Sequence, residues 1–122
     1  NEVRDSDGNI VRKAKPRPWR TAVPPAVAAT LRDLMVGVVN GGTATAIAIP
    51  GVQVAAKTGT AQTGTGTSHA WIIGFAPADA PRIAVAVIVE AQPGASEATG
   101  GRVAAPIAKA VLQAALSLPG AS

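Results

Sequence analysis

The segment that most limits the possible folds is residues 82–90, RIAVAVIVE, which is apolar on both faces of an extended chain. Side chains alternate between the two faces of a β-strand, so every second residue shares one environment. One face carries Ile83, Val85, Val87 and Val89. The other face carries Ala84, Ala86 and Ile88. A strand of this kind needs cover on both sides, and helices supply that cover most simply.

The rest of the sequence predicts a hairpin, a helix, three consecutive strands and a second helix. Residues 1–20 combine an Asp-Gly hairpin signal with a basic, proline-rich connector. A helix is expected over residues 24–40, a strand meander over 52–90 and a C-terminal helix over 102–117. The three strands are expected at 52–60, 69–76 and 82–90. Short connectors make the meander antiparallel, so the predicted fold class is α+β, an antiparallel sheet covered by helices on both faces.

Each predicted helix carries an apolar stripe that we expect to face the core. The stripe of the first helix is Val27, Leu31, Leu34, Met35 and Val38. The stripe of the second helix is Val103, Ile107, Val111 and Leu112. Trp71 and Phe75 share one face of the middle strand, and we expect them to be core residues as well.

Composition narrows the class of protein. The chain has 122 residues, the length of one domain, with 48% hydrophobic and only 2% aromatic residues. It has no cysteine and one histidine, which excludes disulfide scaffolds, thiolate zinc sites and multi-histidine metal centres. The net charge of +4 comes from one cluster, Arg12, Lys13, Lys15, Arg17 and Arg20. We interpret that cluster as a solvated connector, because Trp19 is the one aromatic residue within it.

The sharpest chemical signal is Lys57-Thr58-Gly59-Thr60, at the end of the first predicted strand. A Lys-Thr-Gly tripeptide alone is weak evidence, since threonine is an ordinary strand residue. The context is more specific, because a polar glycine-rich connector and a second apolar strand, HAWIIGFAP, follow the motif. Lys-Thr-Gly belongs, with Ser-x-x-Lys and Ser-Asp-Asn, to the signature of serine penicillin-recognising enzymes.

Several stretches of the chain resemble the C-terminal part of the transpeptidase domain of class B penicillin-binding proteins. They are LRDLM from Leu31, GTA from Gly42, VAAKTGTAQ from Val54, HAWIIGFAP from His69 and AAPIA from Ala104. They follow the family's order at close to its spacing, and the resemblance extends over residues 3–116. It implies that residues 1–122 form the C-terminal part of one transpeptidase domain of the penicillin-binding and serine β-lactamase-like fold.

Two motifs of that family are absent from this sequence. No serine is followed by lysine three residues later, and no Ser-x-Asn occurs. The acylated serine, the general-base lysine and the middle motif are therefore expected on a missing or separate chain, and this chain alone is expected to be inactive. A smaller departure is Ala56, since the family usually has glycine before the motif lysine.

The resemblance assigns roles to the motif residues. Lys57 is expected to contact the middle-motif serine and to favour the substrate carboxylate, which the Thr58 and Thr60 hydroxyls hydrogen-bond. The Thr60 backbone N–H is expected to be one of two oxyanion-hole donors, the other coming from the absent serine. Gly59 has no side chain and lets the substrate approach the strand closely. The expected catalytic residues are thus Lys57 and Thr60, and the expected substrate-binding residues are Thr58, Gly59 and Thr60.

The resemblance also implies the partners of this site. The substrate is a peptidoglycan stem peptide ending in D-Ala-D-Ala, and β-lactams acylate the same serine. The complementary N-terminal chain completes the domain. No metal, organic cofactor or nucleic acid is implied. The full protein is expected at the extracytoplasmic face of the cell membrane, tethered by a segment outside this chain.

Other functions stay open from the sequence alone. A D,D-carboxypeptidase or a serine β-lactamase would use the same motif with water in place of the amine acceptor. A catalytically silent module could keep the sheet for binding peptides or partners. The weakest alternative is a basic nucleic-acid-binding domain, whose DNA binding would depend strongly on salt.

Three further features are interpreted as structural. His69 has no evident nucleophile or carboxylate neighbour, so we expect it to support the fold rather than act as a general base. Gly41-Gly42-Thr43 lacks a following Gly-Lys-Ser/Thr and is expected to end a helix rather than bind phosphate. Glu90 and Glu97 are too isolated to form a catalytic carboxylate pair.

Overall fold

The fold of this chain is built on a three-stranded antiparallel sheet, accompanied by a two-stranded hairpin and two helices. A computed structural model describes residues 2–15, 17–93 and 100–118. The hairpin strands are β1, Glu2–Arg4, and β2, Ile10–Lys13. The sheet strands are β3, Ala55–Gln62, β4, Thr67–Ala76, and β5, Ile83–Pro93. The helices are α1, Pro25–Gly41, and α2, Ala105–Ser117, and two short turns precede β3 and α2: a 3₁₀ turn at Thr45–Ile47 and a π-helical turn at Gly100–Ala104.

The sheet has the order β3-β4-β5, and both strand pairs are antiparallel. Gly59 lies opposite Trp71 in the first pair, and Trp71 lies opposite Ile88 in the second. The second register shifts between Ser68 and Ala70, because two steps along β4 correspond to three steps along β5. The predicted α+β class, with three antiparallel strands, two helices and an N-terminal hairpin, is confirmed.

One face of the sheet, the closed face, packs against α2. Ala56, Ile72 and Ala76 of this face have no solvent exposure and belong to one hydrophobic cluster with α2. The contribution of α2 to that cluster is Ala105, Ala108 and Leu112. Small side chains on both surfaces let helix and sheet approach closely, so a dense core forms with few aromatic residues.

Ala56, the departure from the family pattern, is accommodated on the closed face by the residue opposite it. Ala56 pairs with Gly74 of β4. A Cβ on Gly74 would lie 3.2 Å from the Ala56 Cβ and 3.2 Å from Ile47 Cδ1. The methyl group of Ala56 therefore occupies space that a side chain at position 74 would need.

The other face of the sheet, the open face, is covered only at one end. There Met35 of α1 packs with Ala55 of β3 and Ala78, and Phe75 packs against this cluster. Farther along β4, Trp71 is 38% exposed and Ile73 is 50% exposed.

The expectation that Trp71 is a core residue is therefore wrong for this chain, whereas Phe75 does pack against a buried cluster. The predicted cover on both faces of β5 is also incomplete, because Ala84, Ala86 and Ile88 are exposed. Alternation correctly groups residues by face. It does not tell how far a helix extends across that face.

The helices bury fewer residues than their apolar stripes predict. In α1 the buried residues are Met35 and Val39, whereas Val27, Leu31 and Leu34 are at least half exposed. In α2 the buried residues are Ala105, Ala108 and Leu112, whereas Ile107 and Val111 are exposed. Each helix touches the sheet along one side of its stripe, so spacing alone overestimates the buried set. No helix within the described residues is long and apolar enough to cross a membrane.

The hairpin turn is organised by the carboxylate of Asp5. Its Oδ1 accepts the backbone N–H of Asn9 at 2.8 Å and that of Asp7 at 3.0 Å. Gly8 takes the left-handed conformation, φ +83°, that this turn requires. These hydrogen bonds, the one from the Asn9 backbone first, hold the pKa of the Asp5 carboxyl below its ordinary value of 3.8.

We expect the hairpin turn to loosen in acid. Because the pKa of Asp5 is lowered in the folded turn, its contribution is complete above pH 3.8 and is lost as the pH falls through the folded pKa. An NMR titration of the Asp5 carboxyl carbon and the Asn9 amide measures both events, with the Asp5→Asn variant as the control. An Asp5 carboxyl that titrates at or above 3.8 would contradict this account.

Candidate active site

The Lys57-Thr58-Gly59-Thr60 motif lies in the middle of β3, an edge strand of the described sheet. Alternation places Lys57 and Gly59 on the open face, and Thr58 and Thr60 on the closed face. Successive residues of an antiparallel strand direct their backbone groups alternately toward the partner strand and away from it. The side of β3 away from β4, the outer edge, therefore combines motif side chains with outward-facing backbone groups.

The Lys57 ammonium group lies along the outer edge. Its Nζ donates a hydrogen bond to the carbonyl oxygen of Thr58 at 2.7 Å, and the side chain is exposed. A carbonyl that accepts from this side chain points away from β4. By the two-residue alternation, the backbone groups of Thr60 point the same way. A positive charge and the Thr60 N–H thus face one side of the strand.

The Thr58 side chain is buried, with 3% exposure, and its hydroxyl contacts a second threonine. Thr58 Oγ1 lies 2.6 Å from Oγ1 of Thr43, and either oxygen can be the donor. Thr43 follows Gly42, the C-cap residue of α1, and is itself exposed. If Thr58 binds the ligand carboxylate as predicted, its hydroxyl must serve both that carboxylate and Thr43. It has one proton and two lone pairs with which to do so.

Thr43 was not predicted as a site residue. The sequence indicates only that Gly41-Gly42-Thr43 ends a helix, and α1 does end at Gly41. Thr43 and Thr58 are fifteen residues apart, so no local pattern joins them. The one available signal is that the GTA stretch from Gly42 recurs in the family in the same order as the Lys-Thr-Gly motif.

Two glycines of the π-helical turn pack against the motif strand. A Cβ on Gly100 would lie 2.8 Å from the Trp71 carbonyl oxygen and 3.0 Å from that of Gly59. A Cβ on Gly101 would overlap the carbonyl oxygen of Thr43. The C-terminal helix was predicted only from residue 102, so no sequence pattern indicated this contact. The structure shows that the turn, the motif strand and the segment after α1 meet closely here.

Gly59 itself is not required by packing within the chain. A Cβ at this position would lie 3.5 Å from the Trp71 Cβ, an ordinary contact distance. Its φ is not in the left-handed region either. The expectation that Gly59 serves the approach of a ligand stays a prediction, and contacts with the described residues give no other reason for a glycine here.

His69 stabilises a bulge at the end of the sheet. Its Nδ1 accepts the backbone N–H of Ala91 at 3.2 Å. Ala91 has φ +53° and lies where the β4–β5 register shifts, as the extra residue of a β-bulge often does. Glu90 is exposed, and Glu97 lies outside the described residues. Within the described ranges, no cluster of histidine and acidic residues could hold a metal ion.

Lys-Thr-Gly is one of the three motifs of serine penicillin-recognising enzymes, and here it lies on an edge strand of the described sheet. Residues 2–113 match the family described as the penicillin binding protein transpeptidase domain. The chain belongs to this family, and the resemblance inferred from its motifs is confirmed.

Mycobacterial proteins are among those that this chain resembles. Peptidoglycan D,D-transpeptidase PbpA of Mycobacterium tuberculosis is 54% identical over 101 residues, which are 80% of this chain and 20% of that protein. The crystal structure of PBPA from M. tuberculosis superimposes with a TM-score of 0.79 at 48% identity, covering 95% of this chain and 28% of that one. Its imipenem acyl-enzyme complex gives 0.77 at 46% identity, covering 95% and 25%. This chain therefore spans less than a third of the length of each of these relatives.

We expect Gly101→Ala to destabilise the chain by about 1–3 kcal/mol, since the new methyl group must displace the Thr43 carbonyl or the π-helical turn. Urea unfolding measures the change. Gly37→Ala is the matched control, because nothing lies within 4 Å of a Cβ there. As an interior helix position of α1, it should gain about 0.5–1 kcal/mol. Equal effects of the two variants would contradict the close contact at Gly101.

Proposed function

We propose that this chain forms the carboxylate- and oxyanion-binding part of a peptidoglycan D,D-transpeptidase domain. The family match and the names of the relatives support this class of activity. The observation that carries the proposal is the motif strand at the outer edge, with the Lys57 ammonium and the backbone of Thr60 on one side. The nucleophile would come from a Ser-x-x-Lys motif, which this sequence does not contain.

An extended peptide ending in D-Ala-D-Ala suits the outer edge of β3. Backbone groups that face away from β4 can pair with such a peptide as an added strand. Gly59 leaves the space above the strand free of a side chain. The peptide would then run alongside the motif, with its terminal carboxylate near Lys57 and the threonine hydroxyls.

Each motif residue has a distinct task in the proposed reaction. The Lys57 charge attracts the carboxylate, and its effect grows as substrate and protein exclude water. The Thr60 N–H stabilises the negative charge that develops on the carbonyl oxygen under attack. The Thr58 and Thr60 hydroxyls orient the carboxylate, Thr58 while bonded to Thr43.

The chemical step is acyl transfer through a serine ester. The serine oxygen attacks the carbonyl carbon of the penultimate D-Ala, and the terminal D-Ala leaves with a proton on its amine. An acceptor amine then attacks the ester and releases the serine. A β-lactam is attacked in the same way, but its ring opens without losing a fragment, so the ester persists. A solved relative bears imipenem as an acyl-enzyme, which supports this part of the proposal.

The open face supports the proposed partner, the complementary N-terminal part of the same domain. Trp71, Ile73 and Ile88 are exposed side by side on this face. An exposed apolar surface of this kind marks an interaction site, and the relatives are several times longer than this chain. By the family resemblance, the assembled protein would act at the extracytoplasmic face of the cell membrane.

The proposal is tested by intact-mass spectrometry of the protein that carries this chain, before and after incubation with a penicillin. We expect an adduct on a serine outside residues 1–122. A preparation in which that serine is present but takes no adduct would favour the silent binding module. An adduct that water removes quickly would favour a carboxypeptidase or β-lactamase.

We expect Lys57→Gln to lower the rate of penicillin acylation about a hundredfold, because a charge that acts on the carboxylate is lost. Stopped-flow acylation with a fluorescent penicillin measures the rate. Lys109→Gln on α2 makes the same change away from the motif and should keep the original rate. If both variants lose the same activity, the role assigned to Lys57 is wrong.

A further inference from the structure

We propose that Thr43 is a positioning residue of this site, whose hydroxyl donates to the Thr58 oxygen and so turns the Thr58 proton toward the ligand carboxylate. The inference rests on the proposed function and assigns a role to a residue that the sequence did not predict as a site residue. Thr43 does not touch the ligand in this scheme. It acts through Thr58.

The first argument is the count of protons between the two hydroxyls. Their oxygens are 2.6 Å apart, so one of them donates to the other. A threonine hydroxyl has one proton and two lone pairs, and an ionised carboxylate only accepts. If Thr58 donates to Thr43, it has no proton left for the carboxylate. If Thr43 donates, the Thr58 proton is available, so a bound carboxylate selects the second arrangement.

The second argument is that the Thr58 side chain has little freedom to choose another partner. Thr58 is 3% exposed. A Cβ on Gly100 would lie 3.5 Å from the Thr58 Cβ, and one on Gly101 would lie 3.8 Å from its Cγ2. The two glycines therefore line the carbon side of Thr58. Because a β-branched side chain is stiff at χ1, its hydroxyl stays directed at Thr43.

The third argument is that Thr43 is also held in place. The backbone N–H groups on either side of it, those of Gly42 and Ala44, both donate to the carbonyl oxygen of Val38, at 3.1 and 3.2 Å. Ala44 is fully buried. This pair of bonds fixes the segment to the last turn of α1. Because this backbone is already fixed in the fold, the Thr43 hydroxyl can orient its neighbour without a further loss of backbone entropy.

The location of the pair also fits a role in binding. Thr58 is buried and Thr43 is exposed, so their bond lies where the closed core meets the outer edge. The Thr58 carbonyl oxygen, on the same residue, already accepts from Lys57 at that edge. The charge and the oriented hydroxyl thus come from neighbouring residues and act on one anionic group.

The test compares Thr43→Val, which removes the hydroxyl and keeps the shape, with Thr43→Ser, which keeps the hydroxyl. Both are made in the protein that carries this chain with its nucleophile. Acylation rates are measured with benzylpenicillin and with its methyl ester, which lacks the anionic carboxylate. Thr45→Val is the matched control, since it makes the same change two residues away, in the 3₁₀ turn.

We expect Thr43→Val to slow acylation by benzylpenicillin about tenfold, the effect of about one hydrogen bond to a charged group. Acylation by the methyl ester should change less than about twofold. Thr43→Ser should restore most of the rate with benzylpenicillin, and Thr45→Val should leave both rates unchanged. Comparing the two ligands on the same variant cancels any change in the folded fraction.

Three results would overturn the inference. Thr43→Val could slow both ligands equally, which would make its role structural. It could leave both rates unchanged. In a protein that already carries Thr58→Val, Thr43→Val should cause no further loss of acylation rate. The same loss in that protein would show that Thr43 does not act through Thr58. If the unmodified protein takes no penicillin, the proposed function fails and the role of Thr43 fails with it; if it does, these results concern Thr43 alone.

Discussion

The pairing of β3 with β4 is the constraint on which the rest of this structure depends. It places Lys57 and Thr58 on opposite faces of one strand, and no other strand of the described sheet pairs with the outer edge of β3. Because backbone groups alternate as side chains do, the same register also turns the Thr58 carbonyl to the edge, where Lys57 reaches it. A shift of one residue would exchange the two faces and put a charged lysine into the alanine-rich core.

Small residues make that register compatible with a dense core. Gly74 leaves room for the methyl group of Ala56, and the glycines at 100 and 101 let the π-helical turn press on the motif strand. Side chains at these positions would push the two short turns and the segment after α1 away from the sheet, since a Cβ atom at each of them would fall within contact distance of backbone oxygens. The low aromatic content of the sequence fits this arrangement, because close backbone contacts hold the motif strand where large side chains would otherwise pack.

Local patterns predicted the elements and the motif, because each depends on residues close in sequence. Alternation in residues 82–90 and the apolar stretch HAWIIGFAP predicted strands, and Lys57-Thr58-Gly59-Thr60 lies on one. The extent of burial could not be predicted in this way. Trp71 and Leu34 have the spacing of core residues yet are exposed, since burial is decided by which surface lies opposite. The Thr43–Thr58 hydrogen bond could not be predicted either, because it joins two segments that are distant in sequence and meet only in the folded chain.

The motif side chains on the two faces of β3 are held in place to different degrees. On the closed face, Thr58 is fixed by contacts within this chain, which are the Thr43 hydroxyl and the two glycines. On the open face, Lys57 is exposed, and its hydrogen bond is made to its own strand. A partner surface that covers Trp71 and Ile73 would therefore lie on the same face as Lys57, whose direction it can still change, and not on the face of the oriented Thr58 hydroxyl. In the proposed transpeptidase, contacts within this chain therefore fix the geometry of the Thr58 hydroxyl. The final direction of the Lys57 ammonium group is set only in the assembled domain.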